Sequence, residues 1–322
     1  PGHLGELIES KGFELHMLTD TEPVANDDQV NSHASRLGAS WQQDARQTLE
    51  VLTPLTLDWL VVDHYALDAR WERKVAATVG RIMVIDDLAD REHECSLLLD
   101  QNLGRETSDY DQRVPDSCTR LIGPHYALLR PEFAMLREYS LKRRENPELK
   151  RILISLGGVD NTNVTGKVLD ALAKAPLPQD IELDIIMGTA APYLEDIRQQ
   201  SAQLPFRAAV SVNVSDMAER MCAADLSIGA AGSTSWERCC LGLPSIMIVL
   251  ADNQLLIGEA IARANAALLV NAGEVSEQIC THIKQFVEST TQLQHYAQNA
   301  AKICDGSGTS RVISILTGSK TT

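Results

Sequence analysis

The chain has 322 residues, 44% of them hydrophobic, and its 44 acidic residues against 29 basic ones leave a net charge of -15. This composition excludes collagen-like, low-complexity and wholly disordered classes, and the length suits two ordinary domains. The acidic balance argues against broad binding to nucleic acid, which needs clustered Lys and Arg against phosphates, but it allows a small anion held locally at a helix start.

Taken in chain order, residues 2–12 read as a short helix with a glycine stop at Gly12, and 13–18 as a strand. Gly2-His3 opens that helix and is assigned no catalytic role. Short apolar runs follow at 59–62, 82–85, 152–156, 183–187, 226–228, 245–249 and 267–270. Several are rich in Val and Ile, as strands covered on both faces should be. Segments such as 68–78, 163–173 and 235–241 suit helices between them, and a last helix is expected at about 308–316. This rhythm predicts an α/β protein with parallel sheets and helices on both faces. The charged stretch REYSLKRRENPELK at 137–150 precedes a fresh strand. A linker is expected at 138–150, with an N-terminal domain at 1–137 and a C-terminal domain at 151–322. The N-terminal half lacks the opening strand and glycine-rich turn that usually begin a doubly wound sheet.

The segment richest in chemical signal is 223–254, AADLSIGAAGSTSWERCCLGLPSIMIVLADNQ. A strand runs into small residues up to Gly232, and Ser233 and Thr234 open a helix. Small residues let the backbone approach an anion, and unpaired N–H groups, hydroxyls and the helix dipole favour phosphate there. Glu237 lies one turn in, where a carboxylate can accept both hydroxyls of a ribose. The competing reading is an ordinary N-cap for Ser or Thr and a solvated Glu237. In ILISLGGVDNTN, Gly157 and Gly158 end a strand, which is where an open sheet binds its ligand or simply makes a tight turn. In VVDHYALDAR, Asp63, His64 and Tyr65 follow a buried strand. His64 and Tyr65 are candidate proton-transfer or orienting groups, against a satisfied loop histidine. Asp86, Asp87 and Asp90 form a carboxylate cluster better suited to caps and loops than to a metal, because no further ligand set is evident.

Together VDHYALDARWE, IDDLADR, LLLDQNLG, GPHYALLRPEF, ISLGGVD and GSTSWERCCLGLPS followed by ADNQ resemble the nucleotide-sugar hydrolases of pseudaminic-acid synthesis, in order over nearly all of 1–316. The resemblance implies a GT-B fold of the MurG type, two Rossmann-like domains with parallel sheets facing a cleft. It implies a UDP-sugar substrate, with Gly157 and Gly158 toward the phosphates and the loop ending at Met217 against uracil. Gly232, Ser233 and Thr234 would hold the diphosphate and Glu237 the ribose, with Gln254 alongside. It further implies metal-free hydrolysis, with inversion, of a UDP-linked 2,4-diacetamido-2,4,6-trideoxyhexose. The family's base is a histidine in a GxGH loop, and Tyr65 and Asn253 match positions that orient that histidine or the water. That loop is missing here. The N-terminal domain is therefore expected to be incomplete and the chain impaired in hydrolysis. Alternatives are a MurG-like UDP-sugar glycosyltransferase and a non-catalytic UDP-sugar-binding fragment. A dehydrogenase is disfavoured by the absence of GxGxxG spacing after the first strand.

Adjacent Cys239 and Cys240, with Cys95, Cys118, Cys222, Cys280 and Cys304 scattered, show no metal-type spacing. They read as reduced packing thiols of a cytoplasmic protein. No run approaches the roughly 20 apolar residues of a membrane span. The expected partner is thus a UDP-sugar, with no cofactor, no metal, no nucleic acid, no membrane and a monomeric state.

Overall fold

The computed structural model describes residues 4–19 and 31–318, so His3 lies outside the described residues. The chain divides into two compact units, Pro1–Asp100 with Arg105–Ile122, and Gln101–Gly104 with Gly123–Thr322.

The first unit carries α1 (Gly5–Ser10), α2 (Trp41–Leu52), β1 (Trp59–Val62), α3 (Ala69–Val75), β2 (Arg81–Ile85), β3 (Leu97–Asp100) and β4 (Thr119–Ile122). The strands pair in parallel in the order β1-β2-β3-β4. The stop at Gly12 is present. Gly12 has φ +84, its N–H donates to Glu9 O, and that of Phe13 reaches back to Ile8 O. This is the paired closure of a left-handed helix end. The strand expected at 13–18 is not formed. A strand needs a neighbouring edge for its N–H and C=O groups, and among the described residues none lies beside it. Phe13 and Met17 are instead 68% and 62% exposed. Ser40 caps α2 through the Gln43 N–H, and Asp68 caps α3 through that of Arg70.

The second unit carries α4 (Pro131–Arg143), β5 (Arg151–Ser155), α5 (Val164–Lys174), β6 (Glu182–Met187), α6 (Leu194–Ala202), β7 (Arg207–Val212), α7 (Met217–Ala223), β8 (Leu226–Ala230), α8 (Thr234–Cys240), β9 (Ser245–Val249), α9 (Asp252–Arg263), β10 (Ala267–Asn271), α10 (Val275–Glu288), α11 (Thr290–Ile303) and α12 (Gly308–Thr317). Its six strands are all parallel, in the order β10-β9-β8-β5-β6-β7. Successive residues of β5 serve opposite faces. Ile152 and Ile154 join one core with Leu169, Ile279 and Phe286, whereas Leu153 joins another with Met221, Trp236 and Met247. Burial on both faces explains the continuous apolar runs. From β5 the chain winds outward to β7, then returns to β8 and winds the other way. The neighbours β5 and β8 therefore flank the point where the order reverses, the usual ligand crevice of such a sheet.

The linker expected at 138–150 is corrected by this arrangement. Residues 138–143 continue α4, and the division between units falls earlier, at Ile122 and Gly123. The arginines of this charged stretch are not a solvated tether. Arg137 donates to Cys304 O at 2.8 Å, to Ala301 O at 2.7 Å and also to Cys240 O. Arg144 donates to Leu241 O at 3.0 Å, Ala224 O at 2.9 Å and Met221 O at 2.9 Å. They thus satisfy the orphan carbonyls that end α7, α8 and α11.

All seven cysteines are free, six of them buried, which fits their reading as packing residues. No helix among the described residues is long and apolar enough to cross a membrane.

Candidate functional site

The second unit places Gly232, Ser233 and Thr234 where β8 gives way to α8, at the reversal point. Ser233 precedes α8 in a helical conformation, with φ -57, and its hydroxyl makes no capping bond. The ordinary N-cap reading therefore does not describe it. Among the described residues, the N–H groups of Gly232, Ser233 and Thr234 have no acceptor. Ser233 and Thr234 are exposed and Gly232 is half-buried. The first-turn donors thus converge, unfilled, on open space at the positive end of the helix.

Gln254 stands over this turn. Its Oε1 accepts the Leu250 N–H at 3.0 Å, which leaves its amide nitrogen as a donor. That nitrogen would lie 3.7 Å from a Cβ added at Gly232. Glu237 is half-buried rather than solvated. Burial pushes its carboxyl above the ordinary value, opposed by the charges of Arg130 and Arg238. Met217 opens α7, and with Val214 it packs partly buried on the second core.

The loop after β5 is built differently. Gly157 has φ +94, a conformation other residues avoid. A Cβ on Gly188, after β6, would stand 2.0 Å from Gly158 O, so the two loops touch backbone to backbone. Asp160 accepts the N–H groups of Val164 and Thr165 at 2.9 and 2.8 Å, and Asn163 that of Gly166 at 3.1 Å. The start of α5 is already occupied by its own side chains. Gly157 and Gly158 remain beside the α8 turn because Ser155 of β5 pairs with Gly229 of β8.

The other candidates lie in the first unit, except Asn253, which is exposed in the first turn of α9. His64 accepts the Ala66 N–H on Nδ1 at 3.1 Å, so its proton sits on Nε2. Burial lowers its pKa, with Asp44 and Asp63 pulling the other way. One ring nitrogen of His64 is thus engaged within its own loop. Tyr65 donates to Asp87 Oδ2 at 3.1 Å, and burial raises the Asp87 carboxyl. The Tyr65 ring lies 5.8 Å from that of His33, and His33 Nε2 is 2.7 Å from Asp90 Oδ2. Arg36 and Arg91 approach the Tyr65 ring at 5.3 and 5.9 Å. A His–carboxylate pair beside a Tyr–carboxylate pair can relay or orient a proton. His33 and the pairings of Asp87 and Asp90 were not foreseen. His33 sits 57 positions from Asp90 with no local pattern to flag it. Asp86 takes the expected structural part, accepting Ala89 N–H at 2.8 Å and Tyr110 OH at 2.8 Å and pairing with Arg91 at 2.7 Å. Among the described residues no group of three or more His, Cys, Asp or Glu side chains is arranged to hold a metal ion.

Two parallel-sheet units of this kind define the fold as GT-B, the class of the MurG glycosyltransferases. The chain aligns with Acinetobacter baumannii MurG at a TM-score of 0.65 and 14% identity, over 98% of this chain and 88% of that one. Residues 152–311 match the family model of the glycosyltransferase family 28 C-terminal domain. The chain is 30% identical over 197 residues to the spore coat polysaccharide biosynthesis protein SpsG of Bacillus subtilis, covering 60% of this chain and 57% of that protein. It is 29% identical over 142 residues to the UDP-2,4-diacetamido-2,4,6-trideoxy-beta-L-altropyranose hydrolase of Campylobacter jejuni, covering 44% of this chain and 47% of that protein. The chain thus spans about half the length of the curated relatives it matches.

Proposed function

We propose that the second unit binds the UDP group of a nucleotide sugar. The diphosphate lies against the N–H groups of Gly232, Ser233 and Thr234, aided by the Gln254 amide and the Gly157–Gly158 turn. The ribose lies on Glu237, and uracil beside the loop ending at Met217. The observation that carries this reading is the uncapped, donor-rich turn before α8, at the reversal point of a sheet whose residues 152–311 match the glycosyltransferase family 28 C-terminal domain.

The reaction we propose is hydrolysis of a UDP-linked 2,4-diacetamido-2,4,6-trideoxyhexose in pseudaminic-acid synthesis. The likeness to the Campylobacter jejuni hydrolase supports it. Water attacks the anomeric carbon from the face opposite the diphosphate. The bond from that carbon to the β-phosphate oxygen breaks, its electron pair leaves with UDP, and a base takes the proton of the water. The donors before α8 stabilise the departing charge. Within the second unit, Asn253 is assigned to orienting the water. The family 28 match and the MurG fold favour a second reading, transfer of the sugar to an acceptor hydroxyl.

The first test is calorimetric titration with UDP and ADP, beside Glu237→Ala. Saturable UDP binding that weakens about tenfold in the variant, with no ADP binding, supports the site. A folded chain that ignores UDP removes it. Release of free sugar without any acceptor then separates hydrolysis from transfer.

A further inference from the structure

Arg238 is among the largest fully buried side chains of the described residues, 2% exposed. From α8 its side chain runs back toward the helix start. Nη2 donates to Ala230 O at 2.6 Å and to Ser235 Oγ at 3.0 Å. These anchors are the last residue of β8 and the second of α8, so the guanidinium spans the foot of the turn that carries Gly232, Ser233 and Thr234. Nη1 fills the space at Gly229, where an added Cβ would stand 2.2 Å from it. Nε is buried without any hydrogen-bond partner.

No carboxylate forms an ion pair with this guanidinium among the described residues. Two other arginines are buried, and both are accounted for. Arg91 pairs with Asp86, and Arg144 places Nε, Nη1 and Nη2 each on a helix-ending carbonyl. Arg238 alone keeps a buried charge with an idle donor. Burial draws its pKa down to about 10, so it stays cationic at neutral pH. A buried charge with no ion pair costs a fold stability, and here the neighbouring Glu237 charge offsets only part of that cost. An apolar side chain would fill the same space without that penalty. The charge lies under the turn whose Gly232, Ser233 and Thr234 N–H groups have no acceptor among the described residues.

We propose that Arg238 is the positioning residue and built-in counter-charge of the diphosphate site, an inference that rests on the UDP reading above. It would act without touching the ligand. Its hydrogen bonds hold the end of β8 and the start of α8 at the spacing that aims the Gly232–Thr234 N–H groups outward. Its positive charge, weakly screened through a dry turn, favours an anion on the other side. The ligand class it selects is a phosphate ester of uridine over uridine itself.

The test is calorimetric titration of the whole chain with uridine, UMP and UDP, in the unaltered protein, Arg238→Met and Arg238→Lys. We expect Arg238→Met to weaken UDP about 10- to 100-fold while uridine binds as before, and Arg238→Lys to restore part of the difference. If uridine and UDP weaken by one common factor, or if the preference for UDP survives in Arg238→Met, the residue is merely structural and the proposal falls. If Arg238→Met does not fold, salt decides. The UDP-over-uridine preference of the unaltered protein should persist from low to high salt, because a buried charge is little screened. Its collapse would assign the preference to exposed cations and overturn the proposal. A folded, unaltered chain that binds uridine and UDP equally would refute the underlying site itself, a result distinct from the others.

Discussion

The second unit contains two strand-to-helix turns side by side, and they finish their helices in opposite ways. The turn after β5 closes on itself. Asp160 and Asn163 accept the first N–H groups of α5, and Asp160 brings a negative charge to the end of the helix that favours one. The turn after β8 makes no such closure, and a buried cation lies beneath it. Both follow strands with glycine at their ends, and by composition either could be a phosphate loop. What separates them is the destination of a few backbone N–H groups. On the proposed UDP reading, an anion offered to both is repelled by Asp160 and accepted before α8.

The largest way to break this contrast is to spoil the backbone that frames it. A Cβ at Gly188 would meet Gly158 O at 2.0 Å, and neither backbone can move without shifting β5 or β6. Gly188→Ala is expected to cost roughly 3 kcal/mol, read as a shift in denaturant midpoint. A loss below about 0.5 kcal/mol would mean that the two loops do not touch as described.

The second test exchanges the two turns. Asp160→Ala removes two N–H acceptors and should cost about 1–2 kcal/mol of stability while leaving UDP affinity unchanged. Ser233→Ala removes a hydroxyl that caps nothing. Its stability should stay within about 0.5 kcal/mol, while UDP binding weakens about fivefold for one lost hydrogen bond. Thermal melts and titrations on the two variants give four numbers. A reversed pattern, with Ser233→Ala unstable and Asp160→Ala blind to UDP, would assign the phosphate site to the wrong helix.

This division was only half legible in the sequence. The strand–glycine–helix layout of both turns is legible, because buried parallel strands declare themselves as apolar runs and β9 and β1 fall on the expected residues. That Asp160 fills one turn and Arg238 underlies the other is not legible, because side-chain destinations leave no periodic trace. The same limit explains the linker. RRE at the end of α4 looks solvated by composition, yet Arg144 is 4% exposed because it serves helix ends far along the chain. β7, with its sequence RAAVSV, was missed because an edge strand is only partly buried and need not be strongly apolar. β4 opens on Thr119 and Arg120, which leaves only two apolar residues to mark it. The proximity of His33 to Tyr65 and Asp90 is a long-range contact that no motif encodes.

The smallest effect sharpens the comparison from the other side of the turn, through Glu237. Its carboxyl is raised above the ordinary value of 4.5, chiefly by burial. The folded state therefore holds this proton more tightly than the unfolded chain. The contribution to stability is fully present below the unfolded pKa and is lost as pH rises through the folded one. At neutral pH the ionised, partly desolvated carboxylate is a cost that, on the proposed UDP reading, a ribose offsets by donating its hydroxyls. Glu237→Gln should thus gain stability relative to the unaltered protein at neutral pH, lose that gain below 4.5, and bind UDP less well throughout the neutral range. Denaturant titrations of both proteins at neutral and at acid pH read this difference directly. A variant less stable than the original at neutral pH would mean that the carboxylate is held by the fold and not kept available for a ligand, and the two turns would then differ only in how they are capped.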